Sequence, residues 1–259
     1  MYDPGSELRR WREVAVVGSR HRLSDDLTDL LRQSAQWQRA SGGAYNPAVG
    51  AVFDQWRAAE HTGIVPSEAE SSAWAAAIHD VPYEFGGDEV VCVKSCTGLT
   101  FNSFAKGLVA DRAAAAVIGW SSEHVERVTG AVVNLGGDIA VRSFTIRVGI
   151  EDPMRPYDNE PPLCVVKVQG GGIATSGASR RPIVIGGHSF SHLIDPRTCR
   201  PVVDGPAAVT VIGSSAAEAD VLATIVAVTG QASGDYGVAI VNDSSQMTMT
   251  AKFIEHVVA

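Results

Sequence analysis

Two oxygen-bearing side chains, Asp220 and Thr224, lie four residues apart in the segment EADVLAT. On a helix, this spacing places both side chains on the same face. A carboxylate and a hydroxyl are hard oxygen ligands, which suit Mg²⁺ or Ca²⁺ and do not suit a soft metal. A buried aspartate that bonds within its own helix explains the same spacing, so the pair alone leaves both interpretations open.

A histidine and a second carboxylate lie close together before a proline. Residues 182–185 and 188–194 are two extended runs separated by a Gly-Gly pair, and this pattern predicts a β-hairpin. His192 and Asp195 fall at its far end, before Pro196, which fixes the backbone angle φ and ends the strand ladder. Such a hairpin can present acid–base groups at a rigid turn. Because most isolated His and Asp residues are structural or solvated, an ordinary hairpin is the alternative.

Two further places could approach a phosphate group. Lys106 lies in the first turns of an alanine-rich helix, where a cation and a helix N-terminus both favour anions, although a solvated lysine explains it as well. The segment NLGGD, residues 134–138, follows a strand, and its paired glycines would let a backbone approach a ligand closely. A plain β-turn explains these glycines equally well. The sequence lacks the P-loop, hydrolase-elbow and zincin motifs, so those reaction classes have no support.

The composition limits the class of protein. The chain has 259 residues, of which 45% are hydrophobic, and this predicts a single domain, 1–259, or two packed lobes near residues 1–83 and 84–259. The net charge of −8 and the absence of long basic runs argue against nucleic acid and anionic membrane surfaces as partners. A polar start without a signal peptide or lipid-attachment segment, and four scattered cysteines, predict a cytoplasmic protein with reduced thiols.

The elements that would position these residues alternate between helices and strands. Capping residues and apolar spacing predict helices from Ser24 to the glycines at 42–43 and over 71–79, 102–118 and 215–228, with a loop over 60–69. Strands are predicted at 89–93, 99–101, 131–134, 139–144, 145–150, 163–168, 207–212, 236–241 and 247–254, and a small-residue turn at 175–177. The hairpins argue against a purely parallel sheet, so the predicted class is α+β, with mixed or antiparallel sheets flanked by helices.

Eight segments in this order resemble the ApbE family of Mg²⁺-dependent FAD:protein FMN transferases. The segments are YDPGSEL (2–8), GAYNPAVGAVFDQW (43–56), FAKGLVADRAA (104–114), VVNLGGDIAV (132–141), VGIEDP (148–153), GIATSG (172–177), HSFSHLIDPRT (188–198) and EADVLATIVAVTG (218–230). Together they span nearly the whole chain, and their order is far more specific than any one of them.

The resemblance implies an α+β fold of the ApbE type and a defined reaction. Members bind FAD, use Mg²⁺ to cleave its pyrophosphate, attach FMN to a Thr or Ser of a target flavoprotein and release AMP; some hydrolyse FAD instead. Carried over by position, Asp220, Thr224 and Ser103 would bind the metal, and His192 would be the base beside Asp195. Lys106 would face the flavin nucleotide. The remaining cofactor-binding positions would be Tyr2, Ala44, Tyr45, Asn46, Thr100, Asn134, Gly136, Gly137, Asp138, Thr175 and Ser176.

This sequence departs from the family pattern at several places. Thr100 replaces the usual Asp before the lysine, Asn46 replaces the acid of the Gly-Ala-x-Asp turn, and Cys199 replaces a Gly. A cysteine is disfavoured at positive φ, so it could reshape that loop. The family's N-terminal strand and helix, with a Met-Gly-Thr motif, do not precede Tyr2. They are either not encoded or trimmed, and whether a homodimer or a partner chain supplies them stays open at this point. The alternatives are a non-catalytic flavin- or partner-binding protein, or another transfer reaction in which Cys199 beside His192 takes part.

Overall fold

The structure is a computed structural model that describes residues 5–123, 128–157, 159–177 and 182–258. The chain divides into two compact units. Unit 1 comprises Met1–Phe101 and Pro182–Val203, and unit 2 comprises Asn102–Arg181 and Asp204–Ala259. The domain organisation expected from the sequence stays a prediction. No helix within the described residues has both the length and the apolar character that crossing a membrane requires.

The described residues form helices and antiparallel strands that alternate along the chain. The helices are α1 (Glu7–Val14), α2 (Asp25–Ala40), α3 (Val49–Thr62), α4 (Glu68–Ile78), α5 (Ala105–Glu123), α6 (Ala216–Thr229) and α7 (Ala251–Ile254). The strands are β1 (Arg20–His21), β2 (Tyr83–Gly86), β3 (Glu89–Cys92), β4 (Ala131–Leu135), β5 (Asp138–Ile150), β6 (Cys164–Gly177), β7 (Ile183–Ile185), β8 (His188–Phe190), β9 (Ile194–Asp195), β10 (Arg200–Pro201), β11 (Ala208–Gly213), β12 (Gly237–Val241) and β13 (Met247–Met249). The predicted α+β class is confirmed.

Unit 1 contains a three-stranded sheet in the order β1-β3-β2, the hairpin β7-β8 and the short pair β9-β10. Helix α2 begins after Ser24, whose hydroxyl accepts the N–H of Leu27, so the predicted cap is confirmed. The predicted loop over 60–69 is too long, because α3 continues to Thr62 and a capping box at Ser67 starts α4. The predicted strand at 99–101 is wrong: its alternating burial imitates a strand, but the Thr100 N–H donates to the carbonyl of Pro47 and no ladder forms among the described residues.

The hairpin predicted around the Gly-Gly pair is confirmed, with β7 and β8 as its two strands. Its second strand is shorter than expected, because β8 ends at Phe190. Asp195 belongs to β9, which pairs with β10 instead. His192 lies between β8 and β9 in sequence and belongs to neither strand.

Unit 2 is built on a six-stranded antiparallel sheet in the order β13-β12-β11-β6-β5-β4. The two strands predicted over 139–150 are one strand, β5, with a register shift between Val141 and Thr145 and a positive φ at Ser143. The predicted turn at 175–177 is wrong, because these residues pair with β11. The predicted strand 247–254 ends at Met249, since Thr250 caps the short helix α7.

The two faces of this sheet carry different side chains, because successive residues of a strand point to opposite faces. Ile139 and Val141 belong to an apolar core that includes Phe253 of α7. Ala140, between them in sequence, packs with Ala110 of α5 and with Ala216, the first residue of α6. Helices α5 and α6 therefore cover the face to which Ala140 points, which we call the helix face.

Candidate functional site

Asp220 is buried within the most apolar helix of unit 2. Helix α6 begins after Ser215, whose hydroxyl accepts the N–H of Glu218, and ends at Gly230 in a left-handed conformation. Ten of its 14 residues are buried, and Asp220 itself is only 6% exposed. A charged side chain at such a position needs a partner, because an isolated buried charge is costly.

Asp138 supplies a second carboxylate on the helix face of the sheet. It is the first residue of β5, two residues before Ala140, so both side chains point to the same face. Asp138 is 1% exposed, and its carboxylate accepts a hydrogen bond from the ammonium group of Lys106 on α5. The lysine side chain is half-exposed, so one end of this ion pair is open to solvent. The structure thus joins two of the sequence-predicted residues that lie 32 positions apart.

The two carboxylates influence each other electrostatically. Burial and the charge of Asp138 raise the pKa of Asp220 to about 7, and Lys106 and the Gly107 N–H act in the opposite direction. Burial also raises the pKa of Asp138, although the bond from Lys106 lowers it. The Gly107 N–H donates to Asp220 Oδ2 at 3.4 Å. Lys106, Asp138 and Asp220 therefore form one charged group, which we call the acidic cluster.

Asp111 is a buried carboxylate that sequence reasoning missed. It lies on α5, is 7% exposed, and accepts the N–H groups of Ala216 and Ala217 at 3.1 Å and 2.9 Å. The signal that could have revealed it is its position five residues after Lys106, as the one acid in the alanine-rich part of that helix. Asp111 links α5 to the beginning of the helix that carries Asp220.

The predicted metal ligands share a unit and have suitable chemistry. Thr224 follows Asp220 by one helical turn on α6 and is half-buried, and Ser103 lies in the turn just before α5. Among the described residues, no group of three His, Cys, Asp or Glu side chains could hold a metal ion. Mg²⁺ takes oxygen ligands and usually keeps waters and substrate phosphates, so one or two carboxylates with hydroxyl groups fit it. The buried negative charge of Asp220 and Asp138 fits a cation as well.

The glycine pair of the NLGGD segment forms a tight hairpin turn. Leu135 pairs with Asp138, and Gly136 and Gly137 between them have φ values of 66° and 99°. Positive φ at both central residues is the geometry that favours glycine in two-residue hairpin loops. The Asn134 side chain accepts the Gly137 N–H at 2.9 Å and holds the turn. The turn explains these glycines, and its structural effect is to place Asp138 at the start of β5.

Two other predicted flavin contacts lie at the end of β6. Thr175 pairs with Thr210 in the sheet, and their hydroxyl groups are 2.9 Å apart. Thr175 shares a face with Ile173, so it points away from the helix face, whereas Ser176 points toward it. Thr175 therefore lies on the opposite face of the sheet from Asp138. A flavin contact at either residue stays a prediction.

In unit 1, the predicted flavin-binding turn is buried. Ala44, Tyr45 and Asn46 are 1%, 2% and 4% exposed. The Tyr45 hydroxyl lies 2.7 Å from the Ser34 hydroxyl, and Asn46 donates to the carbonyl of Ile78 at 2.6 Å. The Asn46 side-chain oxygen also accepts the Ala48 N–H at 2.9 Å. An aspartate cannot make the donated bond, so the departure at this position has a structural use within the unit.

Thr100, where the family has an acid, packs against the start of α3. Its N–H donates to the Pro47 carbonyl at 2.7 Å. A Cβ atom placed on Gly50 of α3 would come within 3.1 Å of the Thr100 side chain. A compact threonine is therefore accommodated against this helix. Tyr2 lies outside the described residues.

The predicted base and its neighbour lie in the same short segment of unit 1. His192 is half-buried. The carboxylate of Asp195 is bound by Arg197, with the Nη2 atom 2.8 Å from Oδ2 and both the backbone N–H and Nε 2.9 Å from Oδ1. This pairing raises the pKa of the Arg197 guanidinium. Asp195 therefore fixes Arg197 in place, and the role of His192 as a base stays a prediction.

Cys199 has the positive φ expected for the family glycine. Its φ is 53°, its side chain is fully buried, and its carbonyl accepts the indole N–H of Trp56 at 2.9 Å. Burial and the charge of Asp195 raise the pKa of the Cys199 thiol to about 12. A buried, protonated thiol is a poor nucleophile. The alternative that uses Cys199 in a transfer reaction therefore has no support from this geometry.

The sequence is similar to a known protein family and to several characterised proteins. Residues 1–248 match the ApbE family. The chain is 30% identical over 237 residues to the FAD:protein FMN transferase of Rhodobacter capsulatus, covering 88% of this chain and 43% of that protein. The transferases of that name from Haemophilus influenzae and Treponema pallidum are 25% and 28% identical, and this chain covers 68% and 59% of their lengths. The chain thus spans less than half of the first relative and about two thirds of the second.

Solved structures share the fold. The ApbE protein of Thermotoga maritima superposes with a TM-score of 0.81 at 20% identity, covering 99% of this chain and 85% of that one. The flavin transferase ApbE of Vibrio cholerae gives a TM-score of 0.75 at 21% identity, with 98% and 84% covered. These identities are low, so the likeness concerns the fold, and it confirms the ApbE-type architecture expected from the eight ordered segments. With 248 of its 259 residues matched, this chain belongs to the ApbE family.

Proposed function

We propose that this protein is a Mg²⁺-dependent FAD:protein FMN transferase. It would cleave FAD, attach FMN to a Thr or Ser of a target flavoprotein, and release AMP. The observation that carries the proposal is the acidic cluster, a buried carboxylate pair beside a half-exposed lysine, in a chain matched to the ApbE family over residues 1–248. The names of the relatives from Rhodobacter capsulatus and Haemophilus influenzae support the same reaction.

Asp220, Thr224 and Ser103 would hold the metal ion. Asp220 is suited to this because burial and Asp138 make its negative charge unfavourable without a cation nearby. When bound, Mg²⁺ supplies charge neutralisation on the pyrophosphate and polarises its phosphoryl oxygens. This chain's carboxylates would therefore serve to bind and orient, while the bond that breaks belongs to the nucleotide.

Lys106 would bind the phosphates of the nucleotide. Its ammonium is bound to the buried Asp138, and its side chain is half-exposed, so an anion in solution can approach it. An ammonium fixed by a buried carboxylate loses less freedom when it binds a phosphate, and preorganised charges of this kind contribute strongly to catalysis. Asp138 would then act by holding Lys106.

In the transfer step, the hydroxyl oxygen of the acceptor Thr or Ser attacks the phosphorus atom on the FMN side of FAD. A new P–O bond forms, the P–O bond to AMP breaks, and AMP leaves with that electron pair. The hydroxyl proton passes to a general base, for which His192 is the proposed residue. Some other base would have to be sought if replacement of His192 left the rate unchanged.

The experiment measures AMP release by chromatography from FAD, with and without Mg²⁺ and with and without a threonine-containing acceptor peptide. Mass spectrometry of the peptide detects attached FMN. Asp220→Ala and His192→Ala are expected to abolish AMP release. Asp152→Asn is the matched control: Asp152 is a buried acid of the same unit whose carboxylate accepts the Met154 N–H and the Ser245 hydroxyl, both at 2.9 Å.

Each outcome has a defined meaning. AMP that appears only with Mg²⁺ and peptide, together with a flavinylated peptide, supports the transferase. AMP that appears without any acceptor indicates FAD hydrolysis instead. No AMP from folded protein that binds FAD would overturn the proposal in favour of a flavin-binding protein without activity.

A further inference from the structure

Asp111 connects two helices through a carboxylate and two backbone N–H groups. It accepts the N–H groups of Ala216 and Ala217 at 3.1 Å and 2.9 Å, and these are the first two residues of α6. First-turn N–H groups have no partner within their own helix, and the positive end of the helix dipole favours a carboxylate there. Arg142 Nη2 lies 3.8 Å from Asp111 Oδ1, the oxygen that also accepts the Ala216 N–H. Asp111 therefore fixes the beginning of α6 against α5.

The same two helices are joined a second time at the acidic cluster. The Gly107 N–H, in the first turn of α5, donates to Asp220 Oδ2. Gly107 precedes Asp111 by four residues, and Asp220 follows Ala216 by four residues, so the two links lie one helical turn apart along both helices. The helices run in opposite directions at this contact. A shift of α6 at Asp111 would therefore displace Asp220 as well.

The start of α6 is closely packed against its neighbours. A Cβ atom on Gly107 would overlap the carbonyl of Ala216, and a Cβ atom on Gly172 of β6 would overlap the backbone N of the same residue. The start of α6 thus lies directly against α5 on one side and β6 on the other. Because the packing is this close, a displacement of Ala216 and Ala217 is transmitted to the rest of the first turn of α6.

We propose that Asp111 is a positioning residue for the metal site, which holds α6 so that Asp220 and Thr224 are placed to bind a divalent cation. The proposal rests on the proposed function, because it takes Asp220 and Thr224 as cation ligands. Asp111 itself would touch neither the cation nor the nucleotide. Its effect passes through Ala216 and Ala217 to the ligands one and two turns further along the helix.

The experiment measures the affinity of the purified full chain for Mn²⁺ alone, from the electron paramagnetic resonance signal of the free ion, with Mg²⁺ as competitor. Asp111→Asn keeps the size of the side chain but removes the charge and one acceptor oxygen. We expect it to weaken Mn²⁺ binding by about tenfold, as is usual for residues that support metal ligands. Asp220→Asn is expected to abolish this binding.

Asp152→Asn is the control that separates positioning from general loss of stability. It also removes a charge from a buried carboxylate bonded to a backbone N–H and a hydroxyl in the same unit. The free energy of unfolding of each variant is measured by urea denaturation. Asp152→Asn should lose stability and keep the wild-type affinity for Mn²⁺. If Asp111 had a purely structural role, Asp111→Asn would give the same result.

The outcomes distinguish the inference from the function on which it rests. Wild-type Mn²⁺ affinity in folded Asp111→Asn, with binding lost in Asp220→Asn, overturns the positioning role and leaves the proposed function standing. Wild-type affinity in Asp220→Asn overturns the metal assignment itself. If Asp111→Asn does not fold, Asp111→Glu is measured in its place. Its charge is retained and its carboxylate is displaced by one methylene, so an unchanged affinity in that variant also overturns the proposal.

Discussion

Asp111 and Asp220 lie on neighbouring helices, and each carboxylate accepts a backbone N–H from the first turn of the other helix. This reciprocal arrangement explains how unit 2 holds two buried acids in surroundings made largely of alanine and valine. Each acid lies near the positive end of a helix dipole, which favours negative charge. The same bonds hold α5 and α6 together, so the electrostatics of the site and the packing of the unit depend on the same atoms.

Gly107→Ala is expected to disrupt this contact. Its new Cβ would overlap the backbone of Ala216 and approach Ala217 at 2.7 Å, so α6 must move. Overpacking of this kind typically costs about 1–3 kcal/mol. Gly119→Ala, on the same helix, meets nothing within 4 Å and is expected to stabilise the protein by about 0.5–1 kcal/mol through helix propensity. Urea denaturation of both variants measures the difference, and a stabilising Gly107→Ala would contradict the structure.

The pH dependence of stability should reveal Asp220. Its pKa is raised from 3.8 to about 7 by burial and the charge of Asp138. Between these values the folded protein keeps a proton that the unfolded chain has lost. More protons are then bound in the folded state, so the free energy of unfolding falls as the pH rises. The limiting slope for one group is about 1.4 kcal/mol per pH unit.

The measurement uses metal-free protein in a chelator, with urea denaturation at several pH values. Asp220→Asn should have a flatter profile than the wild type across this pH range. Asp138 contributes in the same direction, because its pKa is also raised, so the slope of the variant should be reduced and not reversed. Identical profiles for the two proteins would show that folding does not raise the pKa of Asp220.

Local sequence signals predict the helices of this protein better than its site. Helix α6 is predicted nearly to its ends because Ser215 and Gly230 are strong cap residues. The pairing of Lys106 with Asp138 has no local signal, since a helix and a strand separate the two residues in sequence and only the sheet brings them together. Asp111 is missed for the same reason, because its partners are backbone groups of a distant segment.

Strand boundaries fail where the sequence resembles a strand without the pairing. Leu99 and Phe101 are buried and Thr100 is not, which imitates strand alternation, yet their backbone groups bond elsewhere. The opposite error occurs at Thr175, where small residues suggest a turn. Those residues instead continue β6 and pair with Thr210, Val209 and Ala208 of β11. Tertiary contacts determine both cases, and a single sequence does not reveal them.

Asn46→Asp, which restores the residue expected from the family, should destabilise the protein. The Asn46 amide donates to the Ile78 carbonyl at 2.6 Å, and the residue is 4% exposed. A carboxylate would place two acceptors against each other and bury a charge, for a cost of about 1–3 kcal/mol or more. Urea denaturation checks the value. Asp54→Asn, at an exposed position of α3, is the control for a surface exchange between the same residue types and should change stability by less than about 0.5 kcal/mol.

Cys199 should tolerate glycine better than alanine. Its φ of 53° lies in the left-handed region, where a residue with a Cβ loses roughly 1–2 kcal/mol and glycine does not. Both replacements remove the buried sulfur, but only glycine relieves the backbone, so Cys199→Gly should be at least as stable as Cys199→Ala. Cys92 is the matched control, since it is equally buried in the extended strand β3. There glycine should be less stable than alanine by about 0.5–1 kcal/mol. Urea denaturation of the four variants gives both differences, and the same sign at the two positions would refute the assignment of backbone strain to Cys199.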